Sequence, residues 1–174
     1  MMTTVASTRM FVRSLVLIAI LGLPLPAGAQ NRLGGHFGMV FPLVTRASGQ
    51  TTTIGDDFKI GFPMGVTVKT SDKWAFDLEL VPVIQNDPLF VSMTVHPGII
   101  RGLSDGYAAG LRMAFDVNDS SWGFTPLVNK AFPIPGSACA FFVEGVLPIR
   151  FQQNPSGAGN RTSVGLAVHV GVGF

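Results

Sequence analysis

Hydrophobic and polar positions alternate along this chain with a period of two. In the closing stretch "SVGLAVHVGVGF", Val164, Leu166, Val168, Val170, Val172 and Phe174 fall on one side, and Ser163, Gly165, Ala167, His169, Gly171 and Gly173 on the other. Successive side chains of a β-strand point to opposite faces, so this pattern predicts a strand with one oily face. "DFKIGFPMGVTVK" separates Phe58, Ile60, Phe62, Met64, Val66 and Val68 from Asp57, Lys59, Gly61, Pro63, Gly65, Thr67 and Lys69 in the same way. "YAAGLRMAFDV" sets Leu111, Met113 and Phe115 against Arg112, Ala114 and Asp116, and "WAFDLELVPVIQ" sets Trp74, Phe76, Leu78 and Leu80 against Asp77 and Glu79. Eight such segments are expected, near 31–43, 57–69, 73–84, 89–100, 105–117, 121–132, 138–151 and 162–174. Pro126 predicts a bulge or irregularity in the sixth, since proline cannot donate to a sheet ladder.

The connections differ by parity. Those after the second, fourth and sixth segments are tight ("TSD", "RGLSD", "PIPGS"), whereas the others include the long polar "TRASGQTTTIGDD" and the Gly-rich "QNPSGAGN". An even strand count with turns at one end and loops at the other predicts an all-β fold: a closed, eight-stranded, antiparallel, up-and-down transmembrane β-barrel. Lipid offers the backbone no hydrogen-bond partners, so a sheet spans a bilayer only by closing on itself. Aromatic residues fall at both expected interfaces, with Trp74, Tyr107, Phe132 and Phe174 toward the turns and Phe41, Phe58, Phe115, Trp122 and Phe151 toward the loops.

The first residues change how charge is counted. Arg9 and Arg13 precede an apolar run from Ser14 to Leu25 and a small-residue Ala27-Gly28-Ala29 site, the three parts of a cleaved helical signal peptide. Residues 1–29 are therefore expected to be a leader and 30–174 the barrel domain. Two of the twelve basic residues leave with the leader, so ten bases face ten acids and the remaining chain is near neutral. No basic cluster interleaved with aromatics remains, which removes nucleic acid as a partner. Cys139 is the only cysteine, so no intrachain disulfide forms, and none stands at the cleavage site to carry a lipoprotein anchor.

The last strand and its final Phe174 resemble the carboxyl-terminal assembly signal of bacterial outer-membrane proteins. As a whole, residues 30–174 are similar to the small eight-stranded barrels of the OmpA membrane-domain, OmpX and OmpW type. The resemblance implies a bacterial outer-membrane location, surrounding lipid and the barrel-insertion machinery as partners, a monomer, and Phe174 as the residue that machinery reads. A soluble lipocalin-like carrier would turn the apolar face inward around a greasy cavity. Its surface would then be mostly glycine, alanine and serine, poor in the charges that solubilise a protein.

With the oily face toward lipid, the polar face fills a lumen too narrow for a wide pore. The expected inward candidates are Lys59, Asp77, Glu79, Arg112, Asp116, Glu144 and Arg150, a set able to form interlocking ion pairs. Glu79, Arg112 and Glu144 count to mid-barrel and could act as a gate that exchanges partners. His36, His96 and His169 also point inward at a similar level, each followed two positions later by a glycine, at Gly38, Gly98 and Gly171. Three imidazoles suit zinc or copper, but His96 is expected on the wall opposite His36 and His169, so neither metal nor cofactor is assigned. An outer-membrane lipid A deacylase would carry a His-x-Ser pair; here glycine follows each histidine at that spacing, no HExxH motif occurs, and no GxSxG elbow is expected, since the match "GLSDG" at 102–106 falls in the tight turn between two predicted strands. The expected role is non-enzymatic: structural, or binding or passage of a small ligand or ion through a plugged lumen.

Overall fold

The computed structural model describes residues 32–86, 88–152 and 161–174. The proposed leader, residues 1–29, and the "QNPSGAGN" loop lie outside them. Eleven β-segments follow in chain order: β1 (Leu33–Ala47), β2 (Gln50–Thr53), β3 (Lys59–Gly61), β4 (Met64–Lys69), β5 (Trp74–Gln85), β6 (Phe90–Gly102), β7 (Tyr107–Asp116), β8 (Ser121–Pro133), β9 (Ala140–Val146), β10 (Ile149–Gln152) and β11 (Arg161–Gly173). β2, β3 and β4 all pair with β1 as pieces of one wall, and β9 and β10 both pair with β8 and β11 as pieces of another. The result is an eight-stranded antiparallel barrel, closed where β11 meets β1 from His36↔Gly173 to Ala47↔Ser163. At the seam Phe174 and Gly35 exchange both backbone hydrogen bonds, at 2.9 Å each.

The two faces separate as the alternation demands. On β7, Leu111 is 43% exposed while the next residue, Arg112, is 4% exposed; on β9, Phe141 is 43% exposed and Glu144 is 2%. Trp74, Tyr107, Phe132 and Phe174 are exposed at the turn end, and Phe58, Phe115 and Trp122 at the loop end. Phe41 and Phe151 are half-buried there, Phe151 lying 5.0 Å from Trp122, ring to ring. The lipocalin-like arrangement, with the greasy face inward, is not the one adopted. Among the described residues no helix is long and apolar enough to cross a membrane.

β8 runs unbroken through Pro126, but its ladder to β9 and β10 is interrupted there, between Leu127↔Val146 and Phe124↔Ile149, where the Pro126 carbonyl accepts a hydrogen bond from the Leu147 N–H at 3.0 Å. The expected irregularity at Pro126 is thus present, and other prolines mark further ones, because a missing N–H interrupts the ladder. β3 and β4 are separated at Phe62-Pro63, β9 and β10 at Leu147-Pro148, and the β1–β11 register shifts between Pro42 and Val44. One local expectation is corrected: the "TRASGQTTTIGDD" segment is more ordered than a polar loop. β1 continues to Ala47 and turns through Ser48 (φ 51°) and Gly49 (φ 80°) into β2. Two successive left-handed residues match the twist of the flanking strands, which makes a two-residue hairpin. Beyond it, Asp56 accepts from the Thr53 N–H at 2.8 Å and the Thr53 hydroxyl at 2.7 Å.

Candidate functional site: a charged plug in the lumen

The inward positions of six strands converge at mid-barrel. β5 supplies Asp77 and Glu79, β6 His96, β7 Arg112, β9 Glu144, and the β1–β11 seam His36 and His169. Arg112 is the hub. Its Nε donates to Asp77 Oδ2 at 2.8 Å, one terminal nitrogen donates to Glu144 Oε1 at 2.8 Å, and the other lies 3.5 Å from Glu79 Oε2. All four side chains are buried. A guanidinium suits this task because its planar fork presents several donors in fixed directions. The three residues counted to mid-barrel as a gate are therefore in mutual contact.

Glu79 is the second centre. His36 Nε2 lies 2.9 Å from Glu79 Oε2, His96 Nδ1 3.0 Å from Oε1, and His169 Nδ1 3.9 Å from Oε2. His169 Nδ1 is closer to Glu144 Oε1, at 3.3 Å. As expected, His96 stands on the wall opposite the β1–β11 seam, three strands from His36 and four from His169, and it shares Glu79 with them because β6 is the immediate neighbour of β5, with Glu79 and His96 directly paired across the ladder. The tautomer of His96 follows from its partners. Arg150 can only donate, so its contact with His96 Nε2 at 3.1 Å makes that nitrogen the acceptor and leaves Nδ1–H to donate to Glu79.

Glycines make room for the network, through a neighbouring strand in each case. A Cβ on Gly65 would come within 2.2 Å of the His36 ring, and one on Gly38 within 2.6 Å of His169 Nε2. Gly98 gives way likewise to Arg112, and Gly171 to Phe142. The space beside each histidine two residues along its own strand is therefore filled by another side chain. Phe142 stacks edge-on against His169 with ring centres 4.8 Å apart, and against His36 at 6.0 Å. His169 Nε2, resting against Gly38, is the single buried side-chain nitrogen or oxygen among the described residues with no hydrogen-bond partner.

The other expected candidates lie outside this cluster. Lys59 pairs with Asp57 at 2.8 Å near the loop end, about a third exposed, and does not join the network. Asp116 accepts from the Thr94 hydroxyl at 2.6 Å. Arg150 spans the lumen above the cluster, one terminal nitrogen donating to the Phe124 carbonyl and the Thr125 hydroxyl, both at 3.1 Å. Thr67, Thr94, Thr125 and Asn129 serve the network without having been singled out. Thr67 donates to Asp77 at 2.7 Å, and inward parity was the available signal.

Arg150 divides the interior. Toward the loops, a polar vestibule of about 510 Å³ is lined by Thr45, Gln50, Thr52, Asp116, Asp119 and Arg161, among others. Toward the turns, a smaller cavity of about 150 Å³ lies between Arg150 and the Arg112 cluster. Its walls are Val40, Val81, Val83, Val146 and Ala167, with Pro42, Pro63 and Pro148. The inner face is thus not uniformly small or polar. It is ionic across the middle and apolar above.

Two sets of ligand atoms could hold a metal ion: His36, Asp77 and Glu79, and Glu79, Glu144 and His169, each within 4.8 Å of one another. Every carboxylate in both sets also faces Arg112. A cation placed there would compete with a guanidinium already holding the same oxygens. The chemistry the arrangement supports directly is charge compensation and closure of the lumen. No protein family matches this chain, and no curated protein or solved structure is similar enough to it to count as a match.

Proposed function

We propose that the chain is an integral outer-membrane β-barrel protein of the bacterial envelope, non-enzymatic, whose plugged lumen serves a structural role or admits only small ions or ligands. The observation that carries this reading is the inversion of the ordinary protein pattern: large apolar side chains such as Phe37, Leu78, Ile99, Val128 and Leu166 stand exposed around the wall, while Asp77, Glu79, Arg112 and Glu144 are buried. A water-soluble monomer rarely exposes so continuous an apolar surface. In a bilayer the same belt faces hydrocarbon, and closure of the sheet removes the free strand edges that lipid could not satisfy.

Closure of the lumen favours a plug over an open channel. Arg150 and the Arg112 cluster block the axis in series, and passage requires Arg112 to release Asp77 or Glu144. The reading is tested by separating unboiled from boiled membrane fractions on a gel and by refolding the protein into phosphatidylcholine vesicles. A heat-dependent mobility shift and a protease-resistant, vesicle-inserted form are expected. A monomer that stays soluble without detergent would refute it. In planar bilayers the wild type should carry no steady current, and Arg112→Ala should carry small-ion current; silence from both would remove the gate while leaving the barrel in place.

A further inference from the structure

The two ends of the barrel carry different charge. Around the tight turns, among the described residues, stand five cations, Arg32, Lys69, Lys73, Arg101 and Lys130, against two carboxylates, Asp72 and Asp105. At the loop end, among the described residues, Arg46, Lys59, Arg150 and Arg161 are matched one for one by Asp56, Asp57, Asp116 and Asp119. The excess at the turn end is placed on the outer wall, beside the apolar belt, at two of these positions.

Arg101 and Lys130 are those two. Arg101 pairs with Trp74 across the β5–β6 ladder and holds its guanidinium carbon 5.4 Å from the centre of the indole. Lys130 pairs with Tyr107, its ammonium 4.1 Å from that ring's centre and 5.9 Å from Phe132's. A cation over an aromatic face at a wall's edge sits where lipid headgroups meet hydrocarbon. Strand β7 runs between the two cations, and its outward residue there is Ala109, paired with Arg101 on one side and Val128 on the other. The small side chain leaves a notch beside Tyr107 between two long cationic ones, roughly 12 Å apart by two strand spacings across and two residues along. Directly below it, toward mid-barrel, Ile99 and Leu111 are paired and exposed, and Val128 is exposed beside Ala109.

We propose that this notch seats one anionic phospholipid, its phosphodiester held between Arg101 and Lys130 and its acyl chains lying along Ile99, Leu111 and Val128. The inference rests on the membrane-spanning reading, and it names a lipid partner and a leaflet: the turn-end rim faces the leaflet that contains anionic phospholipid. A headgroup of net charge −1 offsets one of the pair's two positive charges where a zwitterionic headgroup offsets none, and the apolar strip continuous with the notch selects an amphiphile over a free anion. Trp74 and Tyr107 bound the site at interface depth.

The test uses the full chain folded in nanodiscs of phosphatidylcholine doped with phosphatidylglycerol, released into mild detergent and weighed intact by native mass spectrometry. One phosphatidylglycerol per barrel is expected to survive in preference to phosphatidylcholine. Arg101→Gln with Lys130→Gln should lower that preference by about thirtyfold, from the usual strength of two basic side chains at an anionic surface. Arg101→Lys with Lys130→Arg keeps the charge and should keep most of the preference, and Arg46→Gln with Arg161→Gln, at the opposite rim, should leave it unchanged. Equal retention of the two lipids by wild type, or an unchanged preference in the Gln pair, overturns the site. Inorganic phosphate competing as well as phosphatidylglycerol overturns the lipid assignment. Failure of wild type to enter nanodiscs at all counts against the membrane-spanning reading, a separate outcome scored before any lipid is weighed.

Discussion

Replacing Arg112 with alanine removes one cation from among three buried carboxylates, and the cost can be worked from the contacts. Two of them, to Asp77 and Glu144, are charge-assisted hydrogen bonds of 2.8 Å, and the third, to Glu79, is longer at 3.5 Å. A hydrogen bond to a charged group contributes about 1.5–3 kcal/mol, and breaking a buried ion pair by removing one partner costs about 3–5 kcal/mol because a charge is left uncompensated. A loss of about 4 kcal/mol is therefore expected for Arg112→Ala. Urea unfolding of protein folded into phosphatidylcholine vesicles, followed by the fluorescence of Trp74 and Trp122 and by unboiled gel mobility, measures it. Arg112→Lys should lie between, since a single ammonium cannot span three acceptors in fixed directions. Adding Glu144→Gln to Arg112→Ala should recover part of the loss, because one stranded charge disappears. A destabilisation below about 1 kcal/mol, the range of exposed pairs, or strict additivity in the double variant, would refute the view that this cluster is a coupled, desolvated plug.

Further outcomes follow from the same geometry. Leu111→Arg, on the outward face beside Arg112, should cost about 2–4 kcal/mol in vesicles if it lies near the bilayer midplane, whereas a near-neutral result would place that face in water. Gly38→Ala drives a Cβ to 2.3 Å from the Val170 carbonyl and 2.6 Å from His169 Nε2, an overpacking worth about 1–3 kcal/mol, visible as a lower urea midpoint with unchanged slope. In the loop-end turn, the Thr53 N–H and hydroxyl hold the Asp56 carboxyl below the ordinary carboxylate range. Because the folded value is the lower one, its support of the turn is complete above the ordinary value of about 3.9 and is lost as pH falls through the depressed value; the Thr53 amide resonance should shift in acid in wild type and stay flat in Asp56→Asn. Arg112→Gln frees the two histidine–carboxylate sets from their competing guanidinium, so chelator-washed variant should take up more zinc than wild type, as read by elemental analysis of the folded fraction. Equal uptake would show that Arg112 does not guard those oxygens.

Much of the site could be read from parity alone. Asp77, Glu79, Arg112 and Glu144 lie on the polar side of alternating strands, so their inward direction needed only the two-residue repeat of a strand. Which of them touch did not follow, because contact across a barrel depends on register and shear as well as on counting along each strand. His96 is the clearest case. It stands on the far wall, as counting placed it, and the β5–β6 register sets it beside Glu79, the carboxylate that His36 also reaches across the narrow lumen. Lys59 shows the converse, since its parity is inward but its place near the loop end lets it pair locally with Asp57.

Proline positions were legible in part. Pro126 was expected to disturb its strand, and the ladder from β8 to β9 and β10 is interrupted beside it, whereas the breaks at Pro42, Pro63 and Pro148 emerged only with the register of the neighbouring strands. The linear chain was enough to establish eight oily-faced strands, which end has the tight turns, and which residues look inward, because each depends on local periodicity and turn chemistry. Closure settled the rest: that one guanidinium serves three acids, that three imidazoles gather near one carboxylate, that Arg150 walls off a small apolar cavity, and that two cations flank an alanine on the outer wall. Those are relations between strands distant in sequence, and they exist only once hydrogen-bond register has set the strands against one another.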